Sequence, residues 1–94
     1  MAIQITAVRL SAGGSRHEHI VRLWWTNPAT DKTGENTRAQ IVTWIEDEGG
    51  QAHTSDADGH RATVAVITPD HGEKYLRTHA DRVWTDNLLA LPRR

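Results

Sequence analysis

The histidines are the first candidates for chemistry, because this chain of 94 residues contains six of them. His17 and His19 stand two apart in a stretch that favours a strand, so both side chains would lie on one face and could share a metal ion. A third ligand would have to come from elsewhere in the fold, and no spacing in the sequence requires one. Structural metal sites normally show a full ligand set, so the pattern favours solvated or hydrogen-bonded histidines and predicts no metal site.

The segment Asp56-x-Asp58-Gly59 begins like a calcium loop. A complete loop needs a third acidic position before its glycine and a bidentate glutamate further on. Val64 and Ala65 occupy the region where that glutamate belongs. The segment therefore predicts a turn in which Asp and Gly serve the backbone conformation.

The carboxylates Asp81 and Asp86 near the C-terminus could form an acid–base pair. A structural role is favoured, because Asp is a standard N-cap residue and leucines follow Asp86 at once. Asp86 would then cap a single helical turn, and Asp81 would pair with an arginine or a backbone donor. The serines all lie in glycine-containing turns and none stands in a G-x-S-x-G elbow. The sequence thus predicts no catalytic residue and no cofactor.

The adjacent tryptophans Trp24 and Trp25 are the strongest indication of a binding surface. Neighbouring residues of a strand face opposite sides of the sheet, so one indole is either exposed or covered by the C-terminal tail with Trp84. Tryptophan and arginine are enriched where proteins bind partners. The candidate binding residues are Arg22, Trp24, Trp25, Tyr75 and Arg77.

Strands and one helix must position these side chains. Runs of β-branched and apolar residues predict strands over 3–10, 18–26, 51–54, 61–68 and 73–79, with a loop over 27–34 and a tail over 80–94. Thr37 and Gln40 form a capping box at the start of a helix that ends at Gly49-Gly50. The predicted fold is α+β, a single twisted antiparallel sheet of order β-β-α-β-β-β with one helix packed on it and a C-terminal clip; a strongly curled, barrel-like sheet is the alternative.

Composition narrows the class of protein. The length suits one domain over residues 1–94, and the formal net charge of −1 disfavours binding nucleic acid mainly through charge. Cysteine is absent, which favours a reducing, cytoplasmic location. No apolar run could span a membrane, and no signal peptide is visible, so we expect no membrane association.

Three segments carry a resemblance: the opening Ile5-Thr6-Ala7-Val8-Arg9, the hairpin with Glu18-His19-Ile20, and the ending Tyr75-Leu76-Arg77-Thr78-x-Ala80-Asp81 with Asp86-Asn87-Leu88-Leu89-x-Leu91-Pro92. They resemble a bacterial family known as domain of unknown function 3892, and the ending looks most like it. The resemblance covers nearly the whole chain, and the ending is its most specific part. It implies a small bacterial cytoplasmic protein and carries over no activity, substrate or catalytic residue.

Three functions are compatible with these patterns. The favoured one is a non-catalytic module that binds an unknown protein partner or associates with itself. The first alternative is a sheet that stacks single-stranded nucleic acid on its aromatic residues. The second is a small-ligand binder or enzyme that uses the tail carboxylates.

Overall fold

The computed structural model describes residues 2–56 and 58–94. Its strands are β1 (Ala2–Leu10), β2 (Ile20–Asn27), β3 (Lys32–Thr37), β4 (Gln51–Ser55), β5 (Arg61–Ile67), β6 (Tyr75–Ala80) and β7 (Val83–Thr85), and its helix is α1 (Arg38–Glu48). The strands form one sheet in the order β3-β2-β1-β4-β5-β6-β7. The predicted α+β class is confirmed. The structure differs from the prediction in the additional strands β3 and β7 and in one parallel strand pair.

Helix α1 begins and ends where its local sequence predicts. The Thr37 side chain accepts a hydrogen bond from the Gln40 N–H, and the Gln40 side chain accepts one from the Thr37 N–H, which is the predicted capping box. Gly49 closes the helix in the left-handed conformation at φ 68°. Ile41 and Val42 are buried and anchor the helix on the sheet.

The sheet is mixed, so the prediction of a wholly antiparallel sheet is wrong in this detail. β1 and β4 run parallel, with Ala2 opposite Gln51 and Gln4 opposite His53. The other strand pairs are antiparallel. β2 and β3 occupy one side of β1, so α1 carries the chain across the core face to the other side, as a parallel crossover requires.

The predicted loop over 27–34 is shorter than expected, because its first residue belongs to β2 and its last three belong to β3. Only residues 28–31 form the turn, and Asp31 adopts a positive φ of 58° there. β3 then pairs with β2 along its whole length, from Lys32 opposite Asn27 to Thr37 opposite Arg22. Its sequence KTGENT has no alternation of apolar and polar residues, and little of the strand is buried. Its extended conformation therefore depends on the hydrogen bonds with β2.

The second strand starts later than predicted, because His17–His19 form a 3₁₀ turn. Ile20 and Leu23 are both fully buried, although the strict alternation of a strand would place them on opposite faces of β2. Arg9 lies opposite Arg22 while Leu10 lies opposite Ile20, so Val21 is an extra residue in a β-bulge. The bulge reverses the alternation of side chains, and a strict period of two cannot anticipate it.

The predicted tail contributes a strand, β7, and a segment that returns to β1. The Val8 N–H donates to the Pro92 carbonyl at 3.0 Å, and the Arg94 N–H donates to the Val8 carbonyl at 3.0 Å. Leu88, which lies between β7 and this returning segment, is fully buried. The tail therefore acts as the expected clip, and it joins the sheet at β1 beyond the end of the β1–β4 pairing.

The core lies between one face of the sheet, α1 and the tail. Its buried members are Ile3, Ile5, Val8, Ile20, Leu23, Ile41, Val42, Ala52, Val64, Leu76 and Leu88. The opposite face of the sheet, which is called the open face below, carries the side chains that alternate with these in the strands.

Candidate interaction surface on the open face

The strand register aligns one row of side chains across the open face. Gln4 is opposite His53, His53 is opposite Thr63, Thr63 is opposite His79, and His79 is opposite Trp84. The residues flanking each of the first three are buried on the core side, as is Thr78 before His79, which places this row on the open face. The row is polar until it reaches β7, where it ends in an indole.

Trp84 is the exposed tryptophan at the edge of the sheet, with 48% of its surface accessible. Its ring meets the His79 ring edge-on, with the centroids 5.5 Å apart, and the Arg77 guanidinium lies 5.9 Å from its centroid. Val83 beside it is 62% exposed. Arg77 is held in place because its Nε donates to the Thr85 carbonyl at 3.4 Å. The edge strand β7 thus presents an apolar contact point, Trp84, with the Arg77 guanidinium and the His79 imidazole beside it.

Two consecutive residues in unfavourable conformations join β6 to β7. Asp81 and Arg82 have φ values of 51° and 66°, as a two-residue type I′ hairpin turn requires. Asp tolerates this region better than most residues, whereas Arg prefers to avoid it. The turn brings Val83 opposite Ala80 and so aims β7 along the outer edge of the sheet.

Trp24 lies on the open face but is covered by arginines. The guanidinium of Arg9 lies 5.2 Å from the centroid of its ring, and that of Arg94 lies 5.0 Å from it. The Arg9 Nε also donates to the Arg94 carbonyl at 2.8 Å, which ties β1 to the C-terminal residue of the chain. Arg22, on the same face, pairs with Glu35 at 3.2 Å. These cation–π contacts occupy the π surface that a partner would otherwise use.

Trp25 lies on the core side and packs against the buried cluster. Its Nε1–H donates to the Asn36 Oδ1 at 2.8 Å, so its polar group is satisfied within the protein. The two tryptophans therefore face opposite sides of the sheet, as their adjacency predicts. Trp84 does not cover either of them, and the leucines of the tail pack into the core instead.

The five residues proposed from the sequence fall into separate groups. Arg22 and Trp24 lie together on β2, while Tyr75 and Arg77 lie on β6, with three strands between. Tyr75 is half-buried at the start of β6 and borders a surface depression with Arg38 and Glu73. The fold brings only Arg77 beside the exposed indole, that of Trp84.

Sequence reasoning missed Trp84 as the exposed aromatic residue. A signal was present, because Asp81-Arg82 stands as a pair between Ala80 and the β-prone run Val83-Trp84-Thr85. A two-residue loop of that kind predicts a hairpin, although the arginine at its second position weakens the pattern.

The tail carboxylates do not form the pair considered from the sequence. Asp81 lies in the β6–β7 turn, and Asp86 follows the other end of β7. The Asp86 carboxylate lies 3.4 Å from the Arg77 guanidinium and 3.6 Å from the His17 Nε2. The helical turn predicted after Asp86 is instead a hydrogen-bonded turn, in which the Asp86 carbonyl accepts from the Ala90 N–H at 3.1 Å, and the Asp86 side chain pairs with Arg77 and does not cap a helix.

His17 and His19 do not meet as a pair of ligands, because a 3₁₀ turn sends their side chains in different directions. The His19 Nδ1 accepts hydrogen bonds from the N–H groups of Ser15 and Arg16 at 3.0 and 3.1 Å. The His17 side chain is buried. Burial lowers the pKa of His17 below its usual value, and Arg77 lowers it further, against opposing effects of Asp86 and Glu18.

Asp56, Asp58 and His60 form a compact exposed turn. The Asp56 Oδ1 accepts from the N–H groups of Asp58 and His60, each at 2.9 Å. The His60 N–H, through this hydrogen bond, holds the pKa of the Asp56 carboxyl below its usual value. These bonds are those of the predicted turn, in which the acidic side chain organises its own backbone.

The chain matches the family model described as a protein of unknown function (DUF3892) over residues 4–92. The chain is a member of that family, as the resemblance of its opening and ending indicates. No curated protein and no solved structure matches it. Over residues 2–56 and 58–94, no helix is both long and apolar enough to cross a membrane.

Proposed function

We propose that this chain is a non-catalytic protein-interaction module and that β7 is its contact strand. The observation that carries the proposal is the exposure of Val83 and Trp84 on a strand at the end of the sheet order. An edge strand presents N–H and C=O groups on its outer side, and an extended segment of another chain can complete them. Tryptophan beside arginine is a frequent centre of binding energy in such contacts.

The β6–β7 turn supports this proposal. Natural proteins retain strained backbone mostly where it serves a function, and Asp81 and Arg82 both adopt positive φ without being glycine. Their conformation is what sets β7 against β6 and leaves Trp84 half-exposed. A partner strand that added to β7 would cover Val83 and Trp84 together.

Self-association is one form that this contact can take. Trp84 is the central residue of β7. If the β7 strands of two copies paired antiparallel about a two-fold axis, the two Trp84 residues would lie near each other. Pairing with a different protein would use the same edge and the same two side chains.

The other two functions have less support in the geometry. A nucleic-acid platform would need indole faces that are open to bases, and arginines cover Trp24. An enzyme based on the tail carboxylates would need Asp81 and Asp86 side by side, and they lie at opposite ends of β7.

Site-specific crosslinking tests the proposal. A photoreactive benzoylphenylalanine would replace Trp84 in one variant, Trp24 in a second and Asp47, which is exposed on α1, in a third. After irradiation in cells, we expect the Trp84 variant alone to give a discrete adduct. A mass twice that of the chain would identify self-association, and any other mass would lead to the partner by peptide sequencing. Equal adducts from all three positions, or none from Trp84, would contradict the proposal.

A further inference from the structure

A groove runs along α1 on the side of the molecule away from β7. Its volume is about 530 Å³, and its walls include Ile3, Trp25, Asn36, Gln40, Trp44 and Glu48. That volume lies within the range of small-molecule sites, and a mostly apolar lining with a few polar groups is typical of them. The groove is lined by different residues from those of the proposed contact strand, so an inference about it is independent of that proposal.

Two glycines leave room for the indoles of Trp25 and Trp44, which line the groove. A Cβ atom at Gly34, opposite Trp25 on β3, or at Gly50, after the helix, would overlap the ring of Trp25 or Trp44 respectively. Each ring therefore lies flat against main chain on one side. Both indoles also line the groove, so they offer it aromatic surface.

The two amides at one end of the groove are oriented by a chain of hydrogen bonds. The Asn36 Oδ1 accepts from the Trp25 Nε1–H at 2.8 Å, and the Asn36 Nδ2 donates to the Gln40 Oε1 at 3.1 Å. The Gln40 Oε1 also accepts from the Thr37 N–H at 2.9 Å. Both amide oxygens are thus engaged, and in the described part of the chain no protein acceptor takes the Nε2–H groups of Gln40. This end of the groove presents hydrogen-bond donors.

The other end of the groove is negative. Glu48 lines it in the last turn of α1, where Glu46 and Asp47 also lie, and that turn contains no basic residue. The carbonyl end of a helix carries partial negative charge, which adds to that of the carboxylates. Glu46 is paired with Lys74 at 2.8 Å, whereas Glu48 faces the groove.

Gln40, Trp44 and Glu48 are spaced four residues apart and so lie in line on the helix. At 1.5 Å per residue the distance from Gln40 to Glu48 is about 12 Å. A ligand matched to this line needs a hydrogen-bond acceptor at one end, an apolar body over the indoles and a positive charge at the other end. Indoles and a carboxylate together favour an organic ammonium ion.

We propose that the α1 groove binds a small organic ammonium compound with an apolar body. Its cation lies at Glu48 and Trp44, its body lies against Trp25 and Ile3, and a polar acceptor group meets the amide N–H groups of Gln40 and Asn36.

Indole resonances in ¹⁵N-edited NMR spectra test the site, because each of the four tryptophans gives its own signal and Trp25 and Trp44 line the groove whereas Trp24 and Trp84 do not. The probes are hexyltrimethylammonium and, as its anionic counterpart, hexanesulfonate. We expect the ammonium compound to shift the Trp25 and Trp44 indole signals and to leave those of Trp24 and Trp84 in place. Hexanesulfonate should bind more weakly.

Glu48→Gln and Asp47→Asn are the matched variants, because both residues are exposed on the same turn and only Glu48 lines the groove. Glu48→Gln should weaken binding of the ammonium probe about two- to fivefold, the effect of one exposed ion pair, and Asp47→Asn should weaken it less. Equal binding of both probes, shifts confined to Trp24 or Trp84, or no shift at about 10 mM ammonium probe, would overturn the proposal.

Discussion

The tryptophans lie in very different environments within this small fold. Trp25 and Trp44 pack against the core, Trp24 is covered by Arg9 and Arg94, and Trp84 remains half-exposed. Nothing in the residue itself separates these cases. The alternation of β2 separates Trp24 from Trp25, and the position of β7 at the edge of the sheet exposes Trp84.

His17 is the residue whose environment most affects the response to pH. It is buried, and its Nε2 lacks a hydrogen bond in the described part of the chain. Its pKa in the folded chain is below the unfolded value near 6.5, chiefly through burial. As the pH falls through that value the unfolded chain takes up the proton first, so protonation favours unfolding. Above it both states are neutral, and His17 has no effect on stability.

We therefore expect the free energy of unfolding to fall as the pH drops through about 6.5, and His17→Gln to reduce that fall. Urea unfolding at several pH values would measure it. His53, whose pKa burial and Arg61 also lower, should leave a residual slope in the variant. His71→Gln, in an exposed loop, is the control and should keep the slope of the natural chain. An unchanged slope in His17→Gln, or stability that rises on acidification, would show that His17 is not held neutral.

At the scale of elements, those defined by neighbouring residues are easier to predict from sequence than those defined by pairing with another strand. α1 is specified within its own sequence, because the Thr37–Gln40 capping box and the Gly49 cap are each made by neighbouring residues. β3 has no comparable signal, since its strand pairing is with β2. The β6–β7 hairpin lies between these cases, because its turn is local but uses an arginine where glycine is usual.

Arg82→Gly should stabilise the protein by about 0.5–1 kcal/mol, because glycine adopts a φ of 66° without the steric cost that arginine incurs. Thermal and urea unfolding would measure the change. Arg61→Gly, in the ordinary extended conformation of β5, is the matched control and should destabilise by a similar amount. Loss of stability in Arg82→Gly would mean that the arginine side chain makes a contact that outweighs its backbone strain.

At the scale of the whole molecule, the C-terminal segment closes the core. Its main chain binds Val8 on β1, and its Leu88 is fully buried among residues from the sheet and helix. The segment joins residues more than eighty positions apart, as the Arg9–Arg94 hydrogen bond shows with a separation of 85. The two ends of the chain are therefore stabilised together.

Leu88→Ala should cost about 2–4 kcal/mol through lost burial and the cavity it leaves, a large part of the stability of a domain this size. Leu89→Ala, at a half-buried neighbouring position, should cost clearly less. Urea unfolding would give both values. Hydrogen exchange at the Val8 N–H, which donates to Pro92, should quicken in Leu88→Ala. Equal losses in the two variants would show that the tail packs loosely.

Much of the fold could be predicted, and the candidate site largely could not. The helix, most strands and the turn at Asp56 follow from local patterns. The register that sets His79 and Arg77 around Trp84 depends on a two-residue turn with an arginine where glycine is usual, and the Val21 bulge breaks the alternation on which face assignments depend. Of the proposed binding residues, only Arg77 ends up beside the exposed indole.

The sequence by itself determined the class of fold, the start and end of α1, the opposite faces of Trp24 and Trp25, and membership of the family. The first three follow from patterns among residues a few positions apart, and the family follows from the resemblance of particular segments. The tertiary structure alone decided the parallel β1–β4 pairing, the existence of β3, and the exposure of Trp84. Those features depend on which distant segments pair with the two sides of β1 and pack into the core, and no short stretch of sequence determines that arrangement.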